Sequence, residues 1–545
     1  MPVNVSYPGV YVEDLPSKQR IITPSPTSIT AFIGRALMGP VDVSSTIFNF
    51  GDFQRIYGGL AFDYPLSYAV RDFFANGGSQ AVIGRLFEPV PESGDGFSLL
   101  KFAPKSDSHD SEYPLLLLKA AGPGLWGNRL KAQIDMTGIT AASAKIFSEY
   151  GLTQEDLFNL TLSLEDAKGK TIKSERYLNL TVKTTGISAS FPNRIDRVLA
   201  NESMLARIES LSASPPQNGA LTRGVGGDDG TYLTPKTYLG DQATKTGLYL
   251  LEHASIFNLL CIPPDRRIFP GVPNAEQDMD GMVRSEAARY CADRRAFYIV
   301  DPLAEWSELA EKGQVQNIAP TQLGINGQNK NGIEIERNAA VFFPRLWQED
   351  ILMDVKPALF APCGAIAGVI AASDVSRGVW KAPAGTDAGL ADIMKLEAKL
   401  TDAQNGLLNP LGVNCLRTFP VMGSVIWGSR TLRGADVMQD DYKYIPVRRL
   451  ALFVEDSVIR GTEWAVFEPN DETLWASLRF CVETFLAGLS RKGAFYNFKV
   501  ACDATTTTPT DVAQGIVNIM IQVAPVKPAE YLVIHISQSL ASNAS

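Results

Sequence analysis

Histidine is scarce: the chain has three in 545 residues. His109, His253 and His535 stand far apart, with neither the spacing of zinc ligands nor that of a histidine-based triad. The six cysteines, Cys261, Cys291, Cys363, Cys415, Cys481 and Cys502, include no CxxC pair. That excludes a zinc knuckle and a dithiol redox centre and leaves free, buried thiols as the expectation. Neither sign of charge is concentrated, since 50 Lys+Arg against 59 Asp+Glu are spread without long blocks and sum to -9. No basic stripe offers itself to nucleic acid. Long apolar runs are missing too. The opening "MPVNVSYPGVYVEDLP" has neither a basic leader nor a continuous apolar core, and no stretch approaches the roughly 18 apolar residues of a membrane span. The expectation is synthesis in a cytoplasm and no direct membrane insertion.

What is present is ordinary globular material, 45% hydrophobic and 20% charged. At roughly 150 residues per domain, the length implies about three or four domains. "SITAFIGRALMGP" reads as a strand leaving through Gly and Pro. In "PLSYAVRDFFANGGSQAVIGRLF", Leu66, Val70, Phe73 and Phe74 fall at helical spacing, Gly77 and Gly78 stop the helix, and "AVIGRLF" is the next strand. This is the rhythm of a layered α/β domain. From about residue 90 to 222 short alternating runs such as "NRLKAQIDM" and "LFNLTLSLED" predict an inserted, mostly β domain, with "RIDRVLANESMLARIESL" as a helical interlude. The α/β rhythm resumes after "RGVGGDDGTY", read as a flexible connector. Near the end, "NDETLWASLRFCVETFLAGLSRKGAF" predicts a long helix with an apolar stripe of Leu474, Leu478, Cys481, Phe485 and Leu489, and with Arg479, Glu483, Arg491 and Lys492 off that stripe. Two strands follow, the last in "KPAEYLVIHISQ", where Leu532, Ile534 and Ile536 alternate with Tyr531, Val533 and His535. Such a terminal apolar strand needs a partner to pair with.

Chemistry finds little purchase. "GSVIWGSR" has the outline of a phosphate loop, yet Ser429 occupies the position that needs lysine. Asp301 ends the strand "AFYIVD", where open α/β sheets place catalytic carboxylates; followed by Pro302, it reads more readily as a cap or turn residue. A soluble multidomain α/β hydrolase-like enzyme using Asp301 is the alternative of a different class.

At "APCGAIAGVIAASDVSRGVWKAPAG", Ala361 to Gly385, the sequence resembles the contractile tail sheath proteins of phages and phage-tail-like injection particles. The resemblance continues in order through "LNPLGVNCLRTF", "YIPVRRLALFVEDSV", "TEWAVFEPND" and "VKPAEYLVI", and upstream in "YPGVYVED", "TAFIGRALMGP", "GPGLWGN" and "GGDDG". The β-rich insert matches loosely. The resemblance implies an α/β (α+β) multidomain tail-sheath fold: an extended arm at 1–28, a middle α/β domain at 29–89 and 224–405, an inserted β-rich outer domain at 90–223, a tube-facing C-terminal α/β domain at 406–528, and a closing strand and tail at 529–545. It implies a structural, non-enzymatic subunit without cofactor or bound metal. Its partners would be further copies in stacked rings or a helical sheath, an inner tube protein, baseplate proteins and a tail terminator or cap protein. Tyr7, Val10, Tyr11 and Val12 of the arm, and Tyr531, Leu532, Val533, Ile534 and Ile536 of the closing strand, would be lent to neighbouring copies. Arg479, Glu483, Arg491 and Lys492 would contact the tube, and the chain would work in a virion tail or contractile injection particle.

Overall fold

The computed structural model describes residues 20–91, 94–102, 116–141, 145–212, 214–269 and 277–531. The chain folds as two units. The larger comprises Ser28–Ser376 and Pro383–Lys443; the smaller comprises Met1–Thr27, Arg377–Ala382 and Tyr444–Ser545.

The larger unit is organised by one sheet whose strands all carry buried apolar residues. β1 (Thr30–Gly34), β2 (Ser45–Ile47) and β3 (Ala81–Arg85) come before the insert. The insert supplies β4 (Leu99–Phe102), β5 (Leu116–Ala120), β6 (Leu130–Asp135), β7 (Phe158–Glu165), β8 (Thr171–Leu180), β9 (Ala206–Ser210) and β10 (Leu221–Arg223). After it come β11 (Leu259–Cys261), β12 (Phe297–Val300), β13 (Ala339–Phe343), β14 (Leu346–Asp350), β15 (Lys356–Phe360), β16 (Lys395–Leu396), β17 (Val413–Phe419) and β18 (Gly423–Ile426). Among the described residues the main sheet has the order β18-β17-β13-β12-β11-β1-β3-β2. Its six inner strands run parallel, and antiparallel β2 and β18 close the two edges. Uninterrupted burial along β1, β3 and β13 is what a parallel sheet covered on both faces demands.

The insert builds two antiparallel sheets, β4-β5-β9 and β10-β6-β7-β8, around Phe102, Leu118, Trp126, Leu130, Phe158 and Leu162. Its helical interlude is half right: a helix spans Ile195–Asn201, but Ala206–Ser210 is β9. The break falls where Ser203 Oγ accepts the backbone N–H groups of Leu205 and Ala206, turning the chain out of the helix and into register with β5. "GGDDG" is tied down rather than loose. Asn128 and Gly227 exchange two hydrogen bonds of 2.8 and 2.9 Å, and Asp229 accepts the N–H of Leu125 at 2.7 Å. The landmarks "GPGLWGN" and "GGDDG" are therefore two sides of one joint.

The helix Cys363–Arg377 is buried along most of its length. Its small residues let it approach a neighbouring helix, Pro65–Ala75, more closely than a side chain permits: a Cβ on Gly364 would stand 2.1 Å from the carbonyl oxygen of Ala69, and one on Gly368 would stand 2.5 Å from that of Phe73. The boundary drawn at residue 406 also moves. β17 pairs in parallel with β13, and β18 returns beside β17, so both strands belong to the main sheet. Buried Asn414 locks that edge by donating to Val341 O and Arg430 O and accepting the N–H of Arg430. The C-terminal unit starts at Tyr444.

Candidate assembly surface

The smaller unit is built on two helices, Ile445–Thr462 and Glu472–Arg491, and one antiparallel pair, β19 (Phe495–Ala501) and β20 (Met520–Pro525). The stripe Leu474, Leu478, Cys481, Phe485 and Leu489 is buried as its spacing requires. Most of it joins a core with Leu450, Phe453, Val482, Leu486 and Phe495, against which Ile521 and Val523 of β20 pack. Among the described residues β19 pairs with β20 alone, so each strand has one unpaired edge. Two-stranded sheets are marginal by themselves. Here the helices cover one face, and the edges stay available.

The segment just before residue 28 is not a free arm at this point. Ile22 is 3% exposed and sits in a notch at Gly461, where a Cβ would come within 2.7 Å of its side chain. Gly461 is the penultimate residue of the Ile445–Thr462 helix, and the absence of a side chain there permits the close approach. The backbone follows suit: Ser25 N–H donates to Ser457 Oγ at 3.0 Å, Arg449 donates to Thr27 O at 2.8 Å, and the Cys481 thiol donates to Arg20 O at 2.7 Å. Arg20 stacks over Trp464, 4.1 Å from the ring centre, and pairs with Glu468 at 3.4 Å. The arm thus has a fixed root, which sequence periodicity could not reveal. The one available signal was Gly461 within an otherwise regular helix.

Of the residues offered for strand exchange, Tyr7, Val10, Tyr11, Val12, Leu532, Val533, Ile534 and Ile536 lie outside the described residues, and Tyr531 is exposed beyond the end of β20. The four charged residues of the long helix do not form one face. Arg479 turns back to donate to Cys502 O at 2.8 Å and is half-buried; Glu483, Arg491 and Lys492 are exposed, with Arg491 Nε donating to Ala487 O at 3.3 Å.

Asp301, at the C-terminal end of β12, accepts the N–H of Cys363 at 2.9 Å and so caps the Cys363–Arg377 helix. Burial is the main influence and pushes its carboxyl up to about 7, against the pull of the Cys363 hydrogen bonds and the Arg345 guanidinium. Its role is structural: an acceptor for a helix N-terminus, beside thiols that burial holds in the protonated form. Ser429, three residues after β18, is buried. No helix among the described residues is long and apolar enough to cross a membrane.

Comparison with known families gives two matches in chain order. Residues 273–432 match the phage tail sheath protein central domain, and residues 438–539 match the phage tail sheath C-terminal domain. Both matches are to domains of phage tail sheath proteins, and together they take in just under half of the chain. The boundary between the two family domains falls within a dozen residues of Tyr444, where the smaller unit begins. Curated tail sheath proteins are similar over part of the chain: that of Vibrio phage KVP40 is 27% identical over 32% of it, and that of Enterobacteria phage T4 is 25% identical over 43%. These matches span 25% and 33% of the two relatives' own lengths. Solved structures extend the likeness of fold to nearly the whole chain. The helical sheath of the anti-feeding prophage in its contracted state covers 98% of this chain and 100% of its own, with a TM-score of 0.51 and 19% identity. The sheath tail protein of Listeria innocua covers 94% and 96%, with a TM-score of 0.55 and 11% identity. The α/β multidomain sheath fold is thereby established.

Proposed function

We propose that this chain is the mechanical subunit of a contractile sheath, polymerising around an inner tube in a metastable extended state and shortening to drive the tube through a target envelope. The observation that carries this is the two-stranded sheet of the C-terminal unit: among the described residues β19 and β20 have an unpaired edge each, next to an arm whose root is fixed at Ile22 and Ser25. A neighbour's arm, through Tyr7, Val10, Tyr11 and Val12, and a neighbour's closing strand, through Tyr531, Leu532, Val533, Ile534 and Ile536, would extend this pair by β-augmentation. Copies so linked stay tethered while their larger units change neighbours. The tube-facing surface we assign to the exposed side of the long helix around Phe480 and Glu483, and the ends of the polymer to baseplate and terminator proteins. The assembled particle is a virion tail or injection device.

About six ladder hydrogen bonds at roughly 0.5–1.5 kcal/mol each would hold such a strand. Burial of Leu532, Ile534 and Ile536 at about 1.5–3 kcal/mol each would contribute comparably. Ile534→Asp removes an apolar anchor and spares the backbone. In negative-stain micrographs of the expressed particles this variant should leave no ordered sheath, while its circular dichroism and melting as a monomer match the parent's. Sheaths of normal length would overturn the donated-strand model.

A further inference from the structure

Between the two helices of the smaller unit the chain throws out a short projecting segment. Phe467 is entirely exposed at 102%, with φ of +69°, and Val466 beside it is 62% exposed. An aromatic residue in the left-handed region is an outlier, and such conformations persist where they serve a contact. Nothing among the described residues of its own chain covers the ring. Exposed carboxylates surround it in sequence, Glu463, Glu468, Asp471 and Glu472. The opposite end of the long helix has the complementary make-up, with exposed Arg491 and Lys492 and, just past the turn, Tyr496 at 75% exposure. Twenty residues of helix separate the two ends, about 30 Å.

We propose that the Val466–Phe467 projection of one copy docks head to tail on the Arg491–Lys492–Tyr496 end of a second copy. Phe467 and Tyr496 supply the apolar centre, the two cations face the ring and the carboxylates around it, and the contact repeats because its two halves lie on different ends of one unit. A heterologous contact of this kind generates a ring where the rotation closes and an open helical filament where it does not, and cations over aromatic faces are attracted by the ring quadrupole. Asp471 and Glu472 at the helix N-terminus, and Arg491 and Lys492 at its C-terminus, also complement the helix dipole. That accounts for those four, and Glu468 pairs with Arg20 of its own chain; Phe467, Val466 and Glu463 are left unexplained. The root of the arm favours a second copy as occupant, because Arg20 is clamped by Trp464 and Glu468, at the foot of the projection. A neighbour receiving the arm is brought to this side of the unit. The inference rests on the polymer reading above and adds a contact that strand donation does not require.

The test uses native assembled particles and a zero-length carbodiimide, which joins a lysine amine to a carboxylate in contact with it. Mass spectrometry should find Lys492 joined to Glu463, Glu468 or Asp471. Within one copy these are a helix length apart, so the link identifies two copies. Lys492 left unjoined to these carboxylates, while other lysines of the same particles couple, would overturn the contact. Charge reversal is the second arm: Glu463→Lys, which spares the Arg20–Glu468 pair of the arm root, and Lys492→Glu should each lower sheath yield about tenfold, and together restore it. Two single variants with full yield would also overturn it. If Ile534→Asp abolishes sheath while Lys492 stays unlinked in parent particles, strand donation stands and this contact alone falls; a chain that forms no polymer under any condition removes both.

Discussion

The two units of this chain solve the edge problem of β-sheets in opposite ways. In the larger unit, six parallel strands are closed at each side by an antiparallel strand, and a glycine-lined helix packs against its neighbour at backbone distance. In the smaller unit, two strands have unpaired edges among the described residues, over a helical core. Among the described residues, one sheet is closed at both sides and the other is open. The contrast separates what must be rigid from what must be shared: exposed edges attract other chains, and a subunit that polymerises can place that attraction in one unit while the other stays inert.

The largest blow to this contrast comes from Gly364. Gly364→Leu forces a side chain into the carbonyl of Ala69, backbone against backbone with nothing flexible to yield. Overpacking of this kind costs about 1–3 kcal/mol and more where backbone must move. The larger unit should lose hydrogen-exchange protection along β1, β11 and β12, while peptides from the Ile445–Thr462 helix keep theirs. Equal loss in both units would show that the units do not fold independently.

Ile22→Ala probes the other side. Emptying the Gly461 notch should cost about 2–5 kcal/mol, confined to the smaller unit, and should free the segment around Ser25 to exchange. If protection of the Glu472–Arg491 helix is unchanged, the root of the arm is decoration rather than part of the core.

The smallest effect is also the most specific. The Asp301 carboxyl, raised to about 7 by burial, holds its proton in the folded chain at pH values where the unfolded chain has lost it. Its contribution to stability is full below about pH 4 and is lost as pH rises through 7. Asp301→Asn keeps an acceptor for Cys363 and removes the titration. Relative to the parent, the variant should gain on the order of 1–3 kcal/mol at pH 8 over pH 5, read from urea midpoints of the larger unit at both values. Parallel pH profiles for the two proteins would refute the assignment.

Much of the fold was legible because it follows period. The β1, helix, β3 sequence and the stripe from Leu474 to Leu489 are each set by local spacing of apolar residues. What escaped was decided by distant partners. β9 reads as helix until Ser203 and β5 are in place. β17 and β18 read as the start of a new domain until Val341 pairs with Val413. Ile22 is one of two adjacent isoleucines in a polar stretch, and what distinguishes it from exposed Ile21 is the missing side chain at Gly461. Of the proposed contact residues, the charges of the long helix were visible in sequence, but their separation to two ends and the turning inward of Arg479 were not.

The unpaired edges of β19 and β20 carry a consequence for the boundaries of any polymer these chains build. If each copy completes its sheet with borrowed strands, every interior copy is both lender and borrower, and the first and last copies are not. One terminus of the filament then always displays vacant edges, and the other displays unclaimed strands. Growth would then be directional, and proteins that start and stop it would face different chemical tasks: one would supply strands, the other would accept them.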